Sequence, residues 1–455
     1  MSLQHSILST RGFIAAVVLL LVAGPATAEP VSFRKEIAPL LLTQCQACHG
    51  EKKSEGDYRV DQFARVIEAG ESGDRGVTAG KPDASELLRR LISDDADERM
   101  PLKRKALPKE QIDLVRRWIS EGAKFDGPGK SASLASIVPD PAHPDPPETY
   151  VRPIPITALA FSGDGNRLFA AGYHEMTVWN STDGSLLQRI KRQGQRTYCI
   201  ALSPDGKTLA TGSGTPGRLG EVRLFNATDG KLLTVLGRAT DVVLDVAWSK
   251  DGARLATASA DRTARLYDVA KRELLWTASS HSDWVNSVAF SPDGKRIATA
   301  SRDKTSKVLD VKDGRALATY SGHKKNVRGV AFHPSGKQVY TAEADRVIHL
   351  WDAANAKKIK DVVRAEGPLY RLTSVGEFLF SVSEDGVVRQ HQAKDQKKVR
   401  DYRGHTQPVF SAAFAPSTSR LATGSFDGEV RLWNTTDGEP VLTFTAAPGY
   451  KKPSK

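Results

Sequence analysis

No run of 18 or more apolar residues occurs in the 455-residue chain, so no segment reads as a full transmembrane helix. The signatures G-x-S-x-G, H-E-x-x-H and G-x-x-x-x-G-K-[ST] are all missing. With them go the sequence marks of nucleophile-elbow hydrolases, zinc proteases and P-loop enzymes. Methionine and cysteine are scarce, three of each. An odd cysteine count demands a free thiol or another use for some of the sulfurs. Hydrophobic residues make up 40% and charged residues 26%, close enough to the globular average to exclude wholesale disorder and a fibrous chain.

Lys and Arg outnumber Asp and Glu by 65 to 53, a formal net charge of +12. Residues 29–126 hold 18 basic and 19 acidic side chains, a net of −1, and Arg11 is the only charge in residues 1–28. The remaining +12 therefore sits in residues 127–455. Residues 1–28 combine Arg11, an apolar run over 13–24 and Ala26-Thr27-Ala28. A basic flank, a short apolar core and an A-x-A site are the parts of a secretory signal peptide. So short a run cannot span a bilayer as an uncleaved anchor. Cleavage after Ala28 and export, to a periplasm or a similar compartment, are expected, and nucleic acid is not an expected partner. The basic charge suits an acidic protein or an anionic surface.

Cys45-Gln46-Ala47-Cys48-His49 uses two of the three cysteines. C-x-x-C-H is the attachment motif of a c-type haem. Thiols at i and i+3 on a helical turn reach the two vinyl groups of one porphyrin, and the next residue, His49, lies under the iron. The alternatives are a redox dithiol or half of a structural zinc site. Zinc would need two further Cys or His ligands nearby, and the next histidine after His49 is His143. One covalent haem c is the expected cofactor. For the second axial position, Met1 leaves with the signal and Met176 lies far downstream, so Met100, 51 residues past His49, is the thioether in reach. Met opposite His raises the reduction potential of haem iron; the alternative for a lone Met is core packing.

Before the motif, Ile37, Leu40 and Leu41 follow i, i+3, i+4 spacing. After Met100, Pro108 stands at a first helical position with Glu110 in the first turn. Ile112, Val115 and Ile119 form a stripe with Leu114 and Trp118 beside it, and Gly122 closes the helix. A third, short helix fits residues 84–91. Two amphipathic helices flanking a haem bury its apolar faces. Together with C-x-x-C-H, the stretches Gly80-Lys81-Pro82-Asp83-Ala84-Ser85-Glu86-Leu87-Leu88, Glu98-Arg99-Met100-Pro101 and Arg116-Arg117-Trp118-Ile119 make residues 33–125 resemble a class I cytochrome c. More narrowly, they resemble the planctomycete-type cytochrome c domain. The resemblance implies Cys45 and Cys48 as thioether anchors, His49 as proximal and Met100 as distal iron ligand, in a small all-α domain over 29–126.

Residues 127–149 carry Pro128, Pro139, Pro141, Pro144, Pro146 and Pro147 without apolar periodicity, the composition of a semi-rigid linker. Beyond it the chain repeats itself. Asp164-Gly165, Asp205-Gly206, Asp251-Gly252, Asp293-Gly294, Ser335-Gly336, Gly376 and Ser417-Thr418 recur at intervals of 41, 46, 42, 42, 40 and 42 residues. Trp179, Phe225, Tyr267, Leu309, Trp351, His391 and Trp433 keep step with them. A 40–45-residue period with Gly-His and Trp-Asp marks is the signature of four-stranded propeller blades. With Gly322-His323, Gly404-His405 and Trp351-Asp352, residues 150–447 resemble a WD-repeat propeller, and seven repeats imply seven blades, followed by a basic tail over 448–455. The Asp–His–Ser–Trp hydrogen-bond set of that family reads as complete only at Asp427, His405, Ser425 and Trp433. The expected fold class is thus multidomain: a small all-α cytochrome c domain, then an all-β seven-bladed WD-repeat propeller.

Other apparent motifs have plainer readings. Residues 212–217 spell G-x-G-x-x-G, but Pro216 interrupts them and no helix pattern follows. They mark a lengthened loop in the second repeat rather than a dinucleotide site. The N-x-T sequences at Asn180, Asn226 and Asn434 belong to hairpin turns. Cys199 is expected as a buried free thiol. His174, His281, His323, His333, His349 and His391 show no metal-ligand spacing.

The first function that follows is non-enzymatic: the haem domain passes single electrons, and the propeller docks the carrier on a redox partner protein. Lys103, Arg104 and Lys105 follow Met100; they meet that partner at the haem edge, or form a solvated charge run beside Asp94, Asp95, Asp97 and Glu98. The alternative is a periplasmic oxidoreductase whose propeller holds a second catalytic cofactor fed by the cytochrome. Its analogy is the cytochrome-plus-propeller nitrite reductases, which have eight blades without WD marks, and fold analogy is weak evidence for chemistry.

Overall fold

The computed structural model describes residues 29–46, 48–50, 54–102, 106–139 and 143–450. The signal peptide expected over 1–28, the basic run Lys103, Arg104 and Lys105, and residues 451–455 of the expected tail lie outside the described residues. The chain forms two compact units, divided after Pro139.

In the first unit a π-helical turn, Phe33–Ile37, runs into α1 (Ala38–Gln44). Ser32 caps it: its Oγ accepts from the Lys35 N–H at 3.1 Å while its own N–H donates to Glu36 Oε2 at 2.8 Å, a reciprocal cap. Then come α2 (Phe63–Val66), α3 (Glu86–Ile92), α4 (Lys109–Ser120) and α5 (Leu134–Ile137). Pro108 precedes α4 as its N-cap, with ψ 146°, rather than being its first helical residue. Gly122, at φ +95°, ends the helix region in a conformation that favours glycine. The buried stripe of α4 is Val115, Trp118 and Ile119, so Trp118 lies inside the stripe and not beside it. Its ring is 5.4 Å from Phe33, which is 4.8 Å from Phe63, and Phe63 is 4.5 Å from Phe125.

The segment expected as a linker is divided between the units. Leu134 and Ile137 are buried in the first core, where the Ile137 carbonyl accepts Arg34 Nε at 2.8 Å. On the second unit, Lys191 Nζ is 2.8 Å from Glu148 and His143 Nε2 is 2.5 Å from Glu221.

The second unit is all β. Strands β1 (Leu159–Phe161), β2 (Arg167–Ala171), β3 (Tyr173–Asn180), β4 (Leu186–Leu202), β5 (Thr208–Thr215), β6 (Leu219–Asn226) and β7 (Leu232–Ala239) form one antiparallel sheet in chain order. Five four-stranded sheets follow, over 243–278, 285–320, 327–364, 369–402 and 409–445. The 17-residue β4 serves twice, pairing with β3 mainly through its first half and with β5 through its second. β1, β4, Val243–Trp248, Val285–Phe290, Val327–Phe332, Leu369–Val375 and Val409–Ala415 pack in cyclic order, the last against β1. This is a β-propeller arrangement. The last sheet completes its own edge with Pro440–Thr445. At the junction with the first sheet, Ile156 donates its N–H to Ser425 O at 3.1 Å and accepts Ser411 Oγ at 2.7 Å.

Four of the recurrent turns share one construction, while the one at Ser335-Gly336 is built on His333. Ser162, Ser203, Ser249 and Ser291 each bond an aspartate two residues on at 2.5–2.6 Å and accept the N–H five residues on at 2.9–3.0 Å. The hydrogen-bond set expected at Asp427, His405, Ser425 and Trp433 is built differently. His405 Nε2 and Trp433 Nε1 meet at Thr423 Oγ1, at 2.7 and 2.9 Å, while Ser425 pairs with Asp427 separately. His323, Thr341 and Trp351 repeat that set. Pairing between β5 and β6 runs unbroken to Thr215↔Leu219. Residues 212–215 of the G-x-G-x-x-G stretch therefore belong to β5, and Pro216 and Gly217 lie in the turn into β6, so the extra length goes into a longer β-hairpin rather than a loop. Asn180, Asn226 and Asn434 each accept an N–H two residues on at 2.7–3.0 Å, as turn residues do. Cys199 is buried and free.

Candidate functional site

The C-terminal end of α1 leads straight into the cysteine motif. Leu41 O accepts the N–H groups of Cys45 and Gln46 at 3.0 Å, and Cys45 O accepts those of Cys48 and His49 at 3.1 and 3.0 Å. That turn holds both thiols and the imidazole on one short stretch of backbone. His49 is oriented by the backbone of Tyr58: its Nδ1 lies 3.1 Å from the Tyr58 carbonyl oxygen. A carbonyl only accepts, so Nδ1 carries the proton and Nε2 keeps its lone pair for a metal. Tyr58 is fixed in turn by its hydroxyl, which donates to Val66 O at 2.7 Å. Backbone pairing of Val60 N–H to His49 O at 2.7 Å completes the loop.

Met100 arrives on a separate segment, 51 residues later. Its N–H donates to Arg90 O, in the last turn of α3, at 2.9 Å. Arg90 is itself held by Glu86 at 2.7 Å. Cys45, Cys48, His49 and Met100 all line one cavity of about 730 Å³, with Val60, Leu87, Leu91 and Leu102 among its apolar walls. That volume lies within the ~300–1,000 Å³ typical of cofactor pockets. Two thiols, an imidazole with a free Nε2 and a thioether, in an apolar cleft, fit a covalently attached haem. Burial, with Cys48 beside it, pushes the Cys45 thiol up to about 12, which disfavours the thiolate that zinc binding or disulfide exchange requires. Among the described residues no acidic side chain or further histidine joins the two thiols in a metal-sized cluster.

Residues 45–102 match the family model described as Planctomycete cytochrome C, and residues 184–226, 230–268, 272–310, 314–352 and 396–434 match WD domain, G-beta repeat. The chain thus carries a segment similar to planctomycete cytochrome c and repeats similar to WD domains. The eukaryotic translation initiation factor 3 subunit I of Aspergillus terreus is 42% identical over 77 residues, 17% of this chain and 23% of that protein. The subunit from Emericella nidulans is 35% identical over the same length. The chain thus spans about a quarter of the length of these curated relatives. Among solved structures, the computationally designed Ika8 protein matches with a TM-score of 0.51 and 22% identity, over 66% of this chain and 88% of that one, a likeness of fold alone.

Two features of the WD segment and the cytochrome segment escaped the sequence reading. Tyr58, which orients His49, carries no motif. In the WD segment His323 and His349, 26 residues apart in sequence, stack with ring centroids 4.4 Å apart, and Glu343 joins them in a buried group of metal-ligand type. Strand neighbours, which no linear spacing reveals, make that group. His323 already has Glu343 at 2.8 Å on Nδ1 and Thr341 at 2.7 Å on Nε2, and Tyr320 Oη is 2.8 Å from His349 Nδ1.

Proposed function

We propose that this chain is an exported electron carrier: a c-type cytochrome with one covalent haem, joined to a WD-repeat propeller that docks it on a redox partner protein. The observation that carries the reading is the single cavity shared by Cys45, Cys48, His49 and Met100. Cys45 and Cys48 would hold the group as thioethers, which are neutral and lose nothing by burial there. His49 would offer Nε2 and Met100 its sulfur to the iron, a ligand pair that favours a raised potential. When bound, the group supplies one-electron oxidation and reduction. The protein's part is to fix the imidazole through Tyr58, to bring in Met100 through Arg90, and to keep water from the metal with the leucines of α3. The same reading includes secretion with cleavage after Ala28, and a ring of seven blades in which the seven-stranded sheet counts as two blades sharing β4.

The test is a mass measurement on denatured full-length protein matured in a haem-attaching host. One haem should remain on each wild-type chain and none on the C45A/C48A variant. A wild-type chain that loses its haem on denaturation overturns the reading.

A further inference from the structure

In the WD segment a cavity of about 470 Å³ is lined by Arg196, Arg302, Arg328 and Arg371 together with aromatic side chains, and by no carboxylate. Its walls come from β4 and from the inner strands or adjoining loops of each four-stranded sheet, so it lies where those strands converge. Arg371 is compensated by the buried Asp245, and Arg302 by Asp283 at 3.5 Å. Arg196 and Arg328 make no ion pair with a described carboxylate; Arg328 interacts with the Tyr370 side chain, but its Nη1 is buried with no hydrogen-bond partner. The cavity wall thus carries two uncompensated positive charges beside aromatic surface. Arg328 lies over the Tyr370 ring at 4.7 Å and Arg302 over Trp284 at 4.8 Å. Trp284 and Phe426 are 40% and 52% exposed, large apolar groups left open to solvent at the same place.

We infer that this cavity is the docking site of the propeller and that it takes an acidic peptide segment of a partner protein, carboxylate side chains on Arg196 and Arg328 and an apolar side chain between Trp284 and Phe426. The inference rests on reading the propeller as a docking module. Arginine and aromatic residues in a partly desolvated pocket are the composition of interface hot spots. A guanidinium that lacks a carboxylate partner gains a charge-assisted, bidentate bond when one arrives. The volume exceeds what a lone inorganic anion fills, and the aromatic wall has no use for one.

The test is titration calorimetry on the full-length, haem-loaded protein, with a capped peptide alternating glutamate and leucine as probe. A glutamine-for-glutamate peptide and inorganic phosphate serve as comparisons. The glutamate peptide should bind saturably and more weakly as salt rises. The R196Q/R328Q variant should bind it about tenfold or more weakly, and the glutamine peptide should bind neither protein. Should that variant fail to fold, the single variant R196Q replaces it with the same direction of change. No saturable binding by wild type, equal binding of the two peptides, unchanged binding by the variant, or phosphate binding as tightly as the peptide overturns the inference. The visible spectrum of the same samples reports the haem separately, so a failure of the electron-carrier reading is distinguishable from a failure of the docking site.

Discussion

His49 reaches the cavity with one ring nitrogen already committed to the Tyr58 carbonyl, and that single bond sets which nitrogen faces a metal. His349 is pushed down to about 4 from 6.5 by burial, with His323 and Lys358 adding to the effect. The folded chain therefore keeps it neutral where the unfolded chain protonates it. Its neutral form contributes stability above 6.5 that is lost as pH falls toward 4. Urea unfolding across that window should show a steeper pH dependence in wild type than in His349→Gln; equal slopes would count against this assignment. Glu429 runs the other way in charge but in the same direction with pH. The His405 bond, opposed by burial and aided by Arg431, holds its carboxyl down at about 2 from 4.5. Its ionised form stabilises the fold above 4.5, and Glu429→Gln should lose part of the acid sensitivity between 4.5 and 2.

At the level of elements, most of the cytochrome segment was legible because helix periodicity and C-x-x-C-H are local signals. Ile37, Leu40 and Leu41 are all buried as their spacing implies, and the expected helix over 84–91 stands as α3 with a separate turn at Pro82–Ala84. Trp118 was misplaced because a 3.6-residue stripe is wider than a single i, i+3, i+4 row. α5 was hidden by the prolines around it, although Leu134 and Ile137 are the apolar pair that docks it. Trp118→Ala should cost about 3–5 kcal/mol in the first unit, read as a lowered midpoint in thermal unfolding. In the sheets, the repeat period was visible in the turn residues, but the hydrogen-bond set was assigned to Ser425 where Thr423 makes the bonds. A serine and a threonine two apart on one strand share a face, and sequence alone does not say which one meets the histidine. Thr423→Val leaves His405 and Trp433 without that partner and should cost about 1–3 kcal/mol in urea unfolding. Ser425→Ala should leave the histidine–tryptophan link intact by the same measurement.

For the whole molecule, the ring is joined by packing and by bonds at Ile156, not by a strand lent from one end of the chain to the other. Ser411→Ala removes one of those bonds and should weaken the propeller by about 1 kcal/mol, measured as a shift in its unfolding midpoint. What the sequence could not show is convergence: Arg196, Arg302, Arg328 and Arg371 span 175 residues and meet only because inner strands do. The same holds for Met100, which the backbone of α3 brings to the cavity that the cysteine motif opens. The most direct test of the central claim is the visible spectrum of protein matured in a haem-attaching host, wild type against Met100→Ala. The expected result is one covalent haem per chain with a weak far-red sulfur-to-iron band in wild type that vanishes in the variant. A wild-type spectrum without that band, or a variant that keeps it, would contradict ligation by His49 and Met100.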